Sequence, residues 1–268
     1  MPCVTKKVEY ENAAETFTVR FFSDTHIGNG NCDEALLASD IAEVEADPNS
    51  LWVGMGDTCE YIQRGDPRFS TGELANWITT KTTDIAKAER ERAVGLFSPI
   101  KDKCLALLEG NHEWAILQHN ERDVYSAFAE GLGAENVLLG PAGFLRLVFS
   151  CKGGRAFTVR FFLTHGWWAG RYTSGTSLPL EQMTGWIDVD VIASGHSHKQ
   201  VAFPVAKFTC DRGNNVTQKS TLCLGCGTYL WQTGYAKRKG YRPTQIGGMA
   251  LTIKPYYHSI SIETKVEI

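Results

Sequence analysis

Apolar residues in this chain gather in short runs rich in β-branched and aromatic side chains, separated by longer amphipathic stretches. Phe17 to Ser23, Leu51 to Met55, Cys104 to Leu108, Phe157 to Leu163 and Val189 to Ala193 read as strands. Val201 to Phe208, Thr221 to Leu224, Met249 to Ile253 and Ser259 to Val266 extend the β-rich character toward the end. Between the early runs, Asp33 to Ala46 places Ala35, Leu36, Ile41 and Val44 at helical spacing. Glu73 to Leu96 predicts a long charged helix with an apolar stripe; Glu113 to Leu132 and the shorter Leu180 to Trp186 follow. Alternating strands and helices predict an α/β fold with central sheets flanked by helices. One hexapeptide recurs: Phe-Thr-Val-Arg-Phe-Phe stands at Phe17–Phe22 and again at Phe157–Phe162.

At 268 residues and 43% hydrophobic content the chain can bury a sizeable core. No Pro/Gly/Ser linker or low-complexity segment divides it, so one domain over residues 1–268 is expected. The opening residues Met1 to Lys7 lack the apolar stretch of a signal peptide, and no run approaches the roughly 20 residues of a membrane span. A cytoplasmic protein is expected, working in a host cytoplasm if of phage origin. Eight cysteines in such a chain read as free thiols rather than a disulfide framework. Cys223-x-x-Cys226, with Cys210 upstream, offers zinc as an alternative but lacks a fourth ligand.

Chemistry concentrates just beyond the strands. Asp24-Thr25-His26, Gly56-Asp57, Gly110-Asn111-His112-Glu113, Thr164-His165-Gly166 and Gly195-His196-Ser197-His198 follow five of the apolar runs, and they hold five of the seven histidines. Open α/β folds place their sites beyond strand ends. Alternate residues of an extended segment share a side, so Asp24 with His26, and His196 with His198, are expected to ligate as pairs. Asp57, with two oxygens, can bridge two cations; Asn111 can ligate without adding charge, leaving His112 free for proton transfer. Each motif alone also fits a turn or a helix cap. Jointly they point to a site for two divalent cations, with manganese, iron or zinc all compatible with oxygen and imidazole donors.

This series resembles the calcineurin-like metallophosphoesterase superfamily, with its D-x-H, G-D-x-x-D/E, G-N-H-D/E, lone H and G-H-x-H motifs, from Asp24 through His198. The resemblance implies a two-sheet β-sandwich flanked by helices. It assigns Asp24, His26 and His198 to the first metal, Asn111, His165 and His196 to the second, and Asp57 to both. His112 becomes the general acid opposite a metal-activated hydroxide. Glu60 takes the place from which many relatives orient that histidine. The phosphoprotein phosphatases carry an Asp-Arg pair there, whereas this chain has Glu60-Tyr61.

Two segments could shape a substrate site. Trp167, Trp168, Arg171 and Tyr172 follow His165, offering stacking surfaces and a bidentate phosphate clamp. Tyr229 to Arg242 interleaves aromatic with basic residues, as a nucleic-acid surface or a solvated loop would. The favoured expectation is a phosphodiesterase acting on nucleic acid or nucleotides. A phosphomonoesterase, a lipid-linked pyrophosphatase and a non-catalytic metal-binding scaffold are the alternatives. A net charge of −3 gives no global advertisement for a polyanion.

Overall fold

The computed structural model describes every residue except Pro67, Lys152, Gly153, Arg155 and residues 264–268. Its strands are β1 (Cys3–Tyr10), β2 (Phe17–Phe22), β3 (Ser50–Gly54), β4 (Cys104–Leu107), β5 (Ala142–Cys151), β6 (Phe157–Thr164), β7 (Val191–Ser194), β8 (Gln200–Cys210), β9 (Val216–Thr228), β10 (Gly247–Lys254) and β11 (Ser259–Glu263). The helices are α1 (Glu34–Ala46), α2 (Ile85–Phe97), α3 (Asn111–Asn120), α4 (Val124–Leu132), α5 (Ser174–Met183) and α6 (Gly234–Lys239). The last residues of the run expected to end at Val266 lie outside the described ones.

This is the mixed α/β architecture the alternation predicts, with strands flanked by helices. A hydrogen-bonded path runs β1-β5-β6-β7-β9-β10-β2-β3-β4, with β8 paired to β9 and β11 to β10. The two halves meet at a narrow seam, Gly247 opposite Thr228 and Gly248 opposite Gly227. Gly248 is required there, because a Cβ would lie 2.4 Å from the Phe21 carbonyl oxygen. The halves then fold toward each other around a shared core. Val19 and Phe21 of β2 and Val53 of β3 pack in one cluster with Leu147 of β5 and Val159 and Phe161 of β6. The repeated hexapeptide thus supplies one inner strand to each half, β2 and β6.

Two predicted helices break for local reasons. The 73–96 stretch contains Thr79, Thr80, Thr82 and Thr83, β-branched residues that resist a helix. Helix α2 starts only after Asp84, whose carboxylate accepts the Lys87 N–H. The 113–132 stretch splits at Glu121, which is left-handed at φ 55°, and restarts after the Asp123 cap. Helix α5 begins upstream of its expected position and carries Pro179 within it.

Helices α1, α2 and α4 cover the β2-β3-β4 half over an aromatic cluster in which Phe97 stacks on Trp52 at 5.0 Å and meets Phe22 edge-on at 5.2 Å. Removing such a ring leaves a cavity as well as lost burial. Phe97→Ala is therefore expected to cost about 3–5 kcal/mol of stability in urea unfolding, whereas a loss below ~1 kcal/mol would contradict this packing.

Helix α2 also buries a carboxylate. Glu89 is fully enclosed; its Oε2 accepts the Tyr61 N–H at 3.0 Å, and its Oε1 has no hydrogen-bond partner among the described residues. Burial pushes its carboxyl well above the usual range, and nearby Glu60 adds to the effect against the Tyr61 N–H. A folded value above the unfolded one makes stability greatest below the ordinary carboxylate range and erodes it as pH rises toward the folded value. Glu89→Gln cannot ionise. Between about pH 5 and about pH 9 its melting temperature should fall less than the parent's, and equal falls would show that Glu89 is already charged in the fold.

Candidate metal centre

Five loops converge where the strands end. Residues 24–26 leave β2, 56–58 leave β3, 110–113 follow β4, His165 leaves β6 and 195–198 leave β7. The loops are laced together by their backbones: Asp24 N–H donates to Gly56 O, His26 N–H to Asp57 O and Gly195 N–H to Thr164 O. Asp24, His26, Asp57, His196 and His198 all adopt positive φ, between 48° and 64°. The paired side chains therefore do not project from extended segments as expected; each sits on a left-handed residue. That conformation costs roughly 1–2 kcal/mol per non-glycine residue and persists only where surrounding contacts impose it.

Glu113 holds one of these residues, Asp57. Its Oε2 accepts the Asp57 and Gly110 N–H groups, both at 3.0 Å, and its Oε1 accepts the Thr58 N–H at 2.8 Å. One buried carboxylate thereby staples the 56–58 loop to the start of α3. Burial and the neighbouring Asp57 charge push its carboxyl up to about 7, against the donors that favour its ionised form. Gly110 must be glycine, since a Cβ would lie 2.2 Å from Asp57 N and Oδ1. The sequence displayed Glu113 within its motif, but its acceptor role depends on a loop over fifty residues away.

The side chains form two clusters joined by Asp57. In the first, His26 Nε2 lies 3.3 Å from His198 Nε2, and His198 Nε2 lies 3.2 Å from Asp24 Oδ1. In the second, Asn111 Oδ1 is 2.7 Å from His196 Nδ1 and 3.1 Å from His165 Nε2. Asp57 Oδ2 stands 3.4 Å from His165 Nε2 and 4.0 Å from His26 Nε2, facing both. Its Oδ1 accepts the His112 N–H at 2.9 Å. All seven expected ligands are brought together.

Outer contacts aim the rings. His26 Nδ1 bonds Glu60 Oε2 at 2.9 Å, and His165 Nδ1 bonds the Met55 carbonyl at 2.8 Å, so both present Nε2 inward. The Glu60 carboxylate thus orients His26, whereas His112 is held through the Glu60 backbone carbonyl, which accepts from its Nδ1. Sequence reasoning expected the Glu60 side chain to act on His112 itself.

The donor set fits divalent cations. Asp24 Oδ1 is buried without a hydrogen bond, and two imidazole Nε2 atoms face each other across 3.3 Å. Burial opposes ionisation of Asp57, yet the His165, His112 and His26 rings outweigh it and hold the carboxyl well below its usual range. In return, Asp57 drives His165 up to about 10 despite burial. The anionic centre demands positive charge, and a cation can take the place of that proton. His196 is depressed by burial and by His165, a state suited to ligation.

The expected substrate residues divide. Trp167, Arg171 and Tyr172 are exposed beside the centre, Trp167 at 72%. Trp168 instead packs partly buried against the cluster beneath α5. The Cys-x-x-Cys alternative fails on strand geometry. Three positions apart on β9, Cys223 and Cys226 enter different core clusters, and among the described residues no metal-competent group contains a cysteine. No helix among them is long and apolar enough to cross a membrane.

A family model for calcineurin-like phosphoesterases matches residues 17–200. The chain matches none of the curated proteins. Among solved structures, the Haemophilus influenzae NAD nucleotidase is similar with a TM-score of 0.39 and 10% identity, over 93% of this chain and 49% of that one. The chain therefore spans about half the length of that nucleotidase. A Thermotoga maritima protein solved by NMR is similar with a TM-score of 0.33 and 12% identity, over 94% of this chain and 99% of that one. The family match covers well over half the chain, including every motif around the two clusters: this chain belongs to the calcineurin-like phosphoesterase family.

Proposed function

We propose that the chain is a two-metal phosphodiesterase acting on nucleotide or nucleic-acid substrates. Asp24, His26 and His198 would hold one cation, and Asn111, His165 and His196 would hold a second, with Asp57 facing both groups of side chains. The observation that carries this reading is Asp57 Oδ2, which faces a ligand nitrogen of each cluster, at 3.4 and 4.0 Å. Oxygen and imidazole donors suit manganese, iron or zinc. When bound, two such cations draw charge from the phosphoryl oxygens and acidify the attacking water.

The chain's own groups supply the rest. With Nδ1 fixed on the Glu60 carbonyl, His112 keeps Nε2 free to protonate the departing oxygen. Burial opposes its charge, but Asp57 and Glu60 outweigh burial and raise its pKa, favouring the protonated form that an acid needs. Diester preference is supported by the neighbours of His165. Trp167, Arg171 and Tyr172 stand ready for an organic ester group, while Tyr61, in the position of the phosphatases' arginine, is buried.

With manganese supplied, bis-p-nitrophenyl phosphate should turn over faster than p-nitrophenyl phosphate, and Asp57→Asn should abolish both activities. A faster monoester would replace the diester reading with a phosphomonoesterase, and absence of metal-dependent turnover would leave only a scaffold. His112→Ala should lower turnover about 10²–10⁴-fold on esters with alkoxide leaving groups, and far less with nitrophenolate, which leaves without a proton. Equal losses on the two substrate types would remove the acid role.

A further inference from the structure

Two segments separated by more than fifty residues in sequence flank the metal centre together. One leaves His165 and runs through Trp167, Arg171 and Tyr172. The other follows Tyr229, whose N–H donates to the Asp24 carbonyl at 3.2 Å, and it runs through Trp231 to Arg242. They meet: the Arg242 guanidinium sits 5.0 Å from the Tyr172 ring centre, and the Arg171 guanidinium carbon lies 3.9 Å from where a Gly240 Cβ would stand. Lys199, next to His198, donates to the Gly170 carbonyl and ties the first segment to the metal loop.

The two segments themselves carry one sign of charge. Residues 166–180 and 228–250 contain Arg171, Lys237, Arg238, Lys239 and Arg242 and no Asp or Glu, in a chain of net charge −3, while Asp33 and Glu73 approach the second segment at Trp231 and Gly234. The segments' aromatic rings remain in solvent, Trp167 at 72%, Tyr172 at 60% and Trp231 at 55% exposure. The Trp231 ring is nevertheless fixed, its Nε1–H donating to Asp33 Oδ2 at 3.1 Å. Exposed rings interleaved with cations match a strand whose bases present free faces and whose phosphates follow the charges. A duplex hides those faces in its own stack.

We propose that Trp167, Tyr172 and Trp231, with Arg171 and Arg242, form a platform that grips a single strand of nucleic acid and leads it into the metal centre. This rests on the phosphodiesterase reading and names its substrate as unpaired DNA or RNA. An acidic protein partner is the competing occupant, and it would use the charges without the ring faces.

The test is fluorescence anisotropy with labelled oligothymidylate and a duplex of equal length, using manganese-loaded His112→Ala to slow hydrolysis. The single strand should bind more tightly than the duplex. Trp167→Ala in that background should weaken binding about 5- to 100-fold, and Arg171→Ala with Arg242→Ala should reduce the salt dependence by about 1.4 in log–log slope. Thermal melts check that each variant is folded. Equal or tighter duplex binding, or Trp167→Ala binding unchanged, overturns the platform. Turnover of bis-p-nitrophenyl phosphate by the unmodified chain separates the two claims. Turnover without strand binding overturns the platform and leaves the enzyme, whereas strand binding without turnover supports the platform and overturns the diesterase.

Discussion

A single buried carboxylate organises this molecule. Asp57 is 1% exposed, one oxygen facing His26 and His165 and the other accepting the His112 N–H. Removing a carboxylate from water is expensive unless opposite charge surrounds it. Here imidazoles from both halves of the sheet face it, His26 beyond β2 and His165 beyond β6. The strand seam at Gly227 and Gly248 and the core shared by the two halves both serve to bring those loops within a few ångströms.

Holding the loops there requires left-handed backbone at five of the candidate ligand residues. That strain is offset by buried acceptors that bind backbone N–H groups. Glu113 fixes Asp57 and Thr58, and Glu89 fixes Tyr61, itself left-handed at φ 49° and next to the residue that orients both His26 and His112. Neither carboxylate belongs to the candidate metal clusters. Both act through amides, so the stiffness of the centre is built from carboxylates whose own ionisation burial discourages.

Much of the centre was legible in the sequence because ligand types and glycines follow apolar runs, and strands must deliver whatever comes next to one end of a sheet. The left-handed ligands were not legible. Asp and His tolerate that conformation without demanding it, and only the hydrogen bonds between loops require it. Strand β1 carries only a weak strand signal, because Cys3–Tyr10 is an edge strand with lysines at Lys6 and Lys7 and alternating burial, its pairing to β5 decided by a segment about 140 residues away. Helix α2 is shorter than its apolar stripe, because that stripe continues upstream through threonines that do not hold a helix. The joining of two aromatic and basic segments at Tyr172 and Arg242 is a tertiary fact that no window along the chain contains.

The most direct measurement is an anomalous-scattering map from crystals of the chain soaked in manganese. The account predicts two peaks, one among Asp24, His26 and His198 and one among Asn111, His165 and His196, with Asp57 touching both. A single peak, or manganese bound elsewhere while these side chains keep their places, would contradict a shared carboxylate as the centre of the molecule.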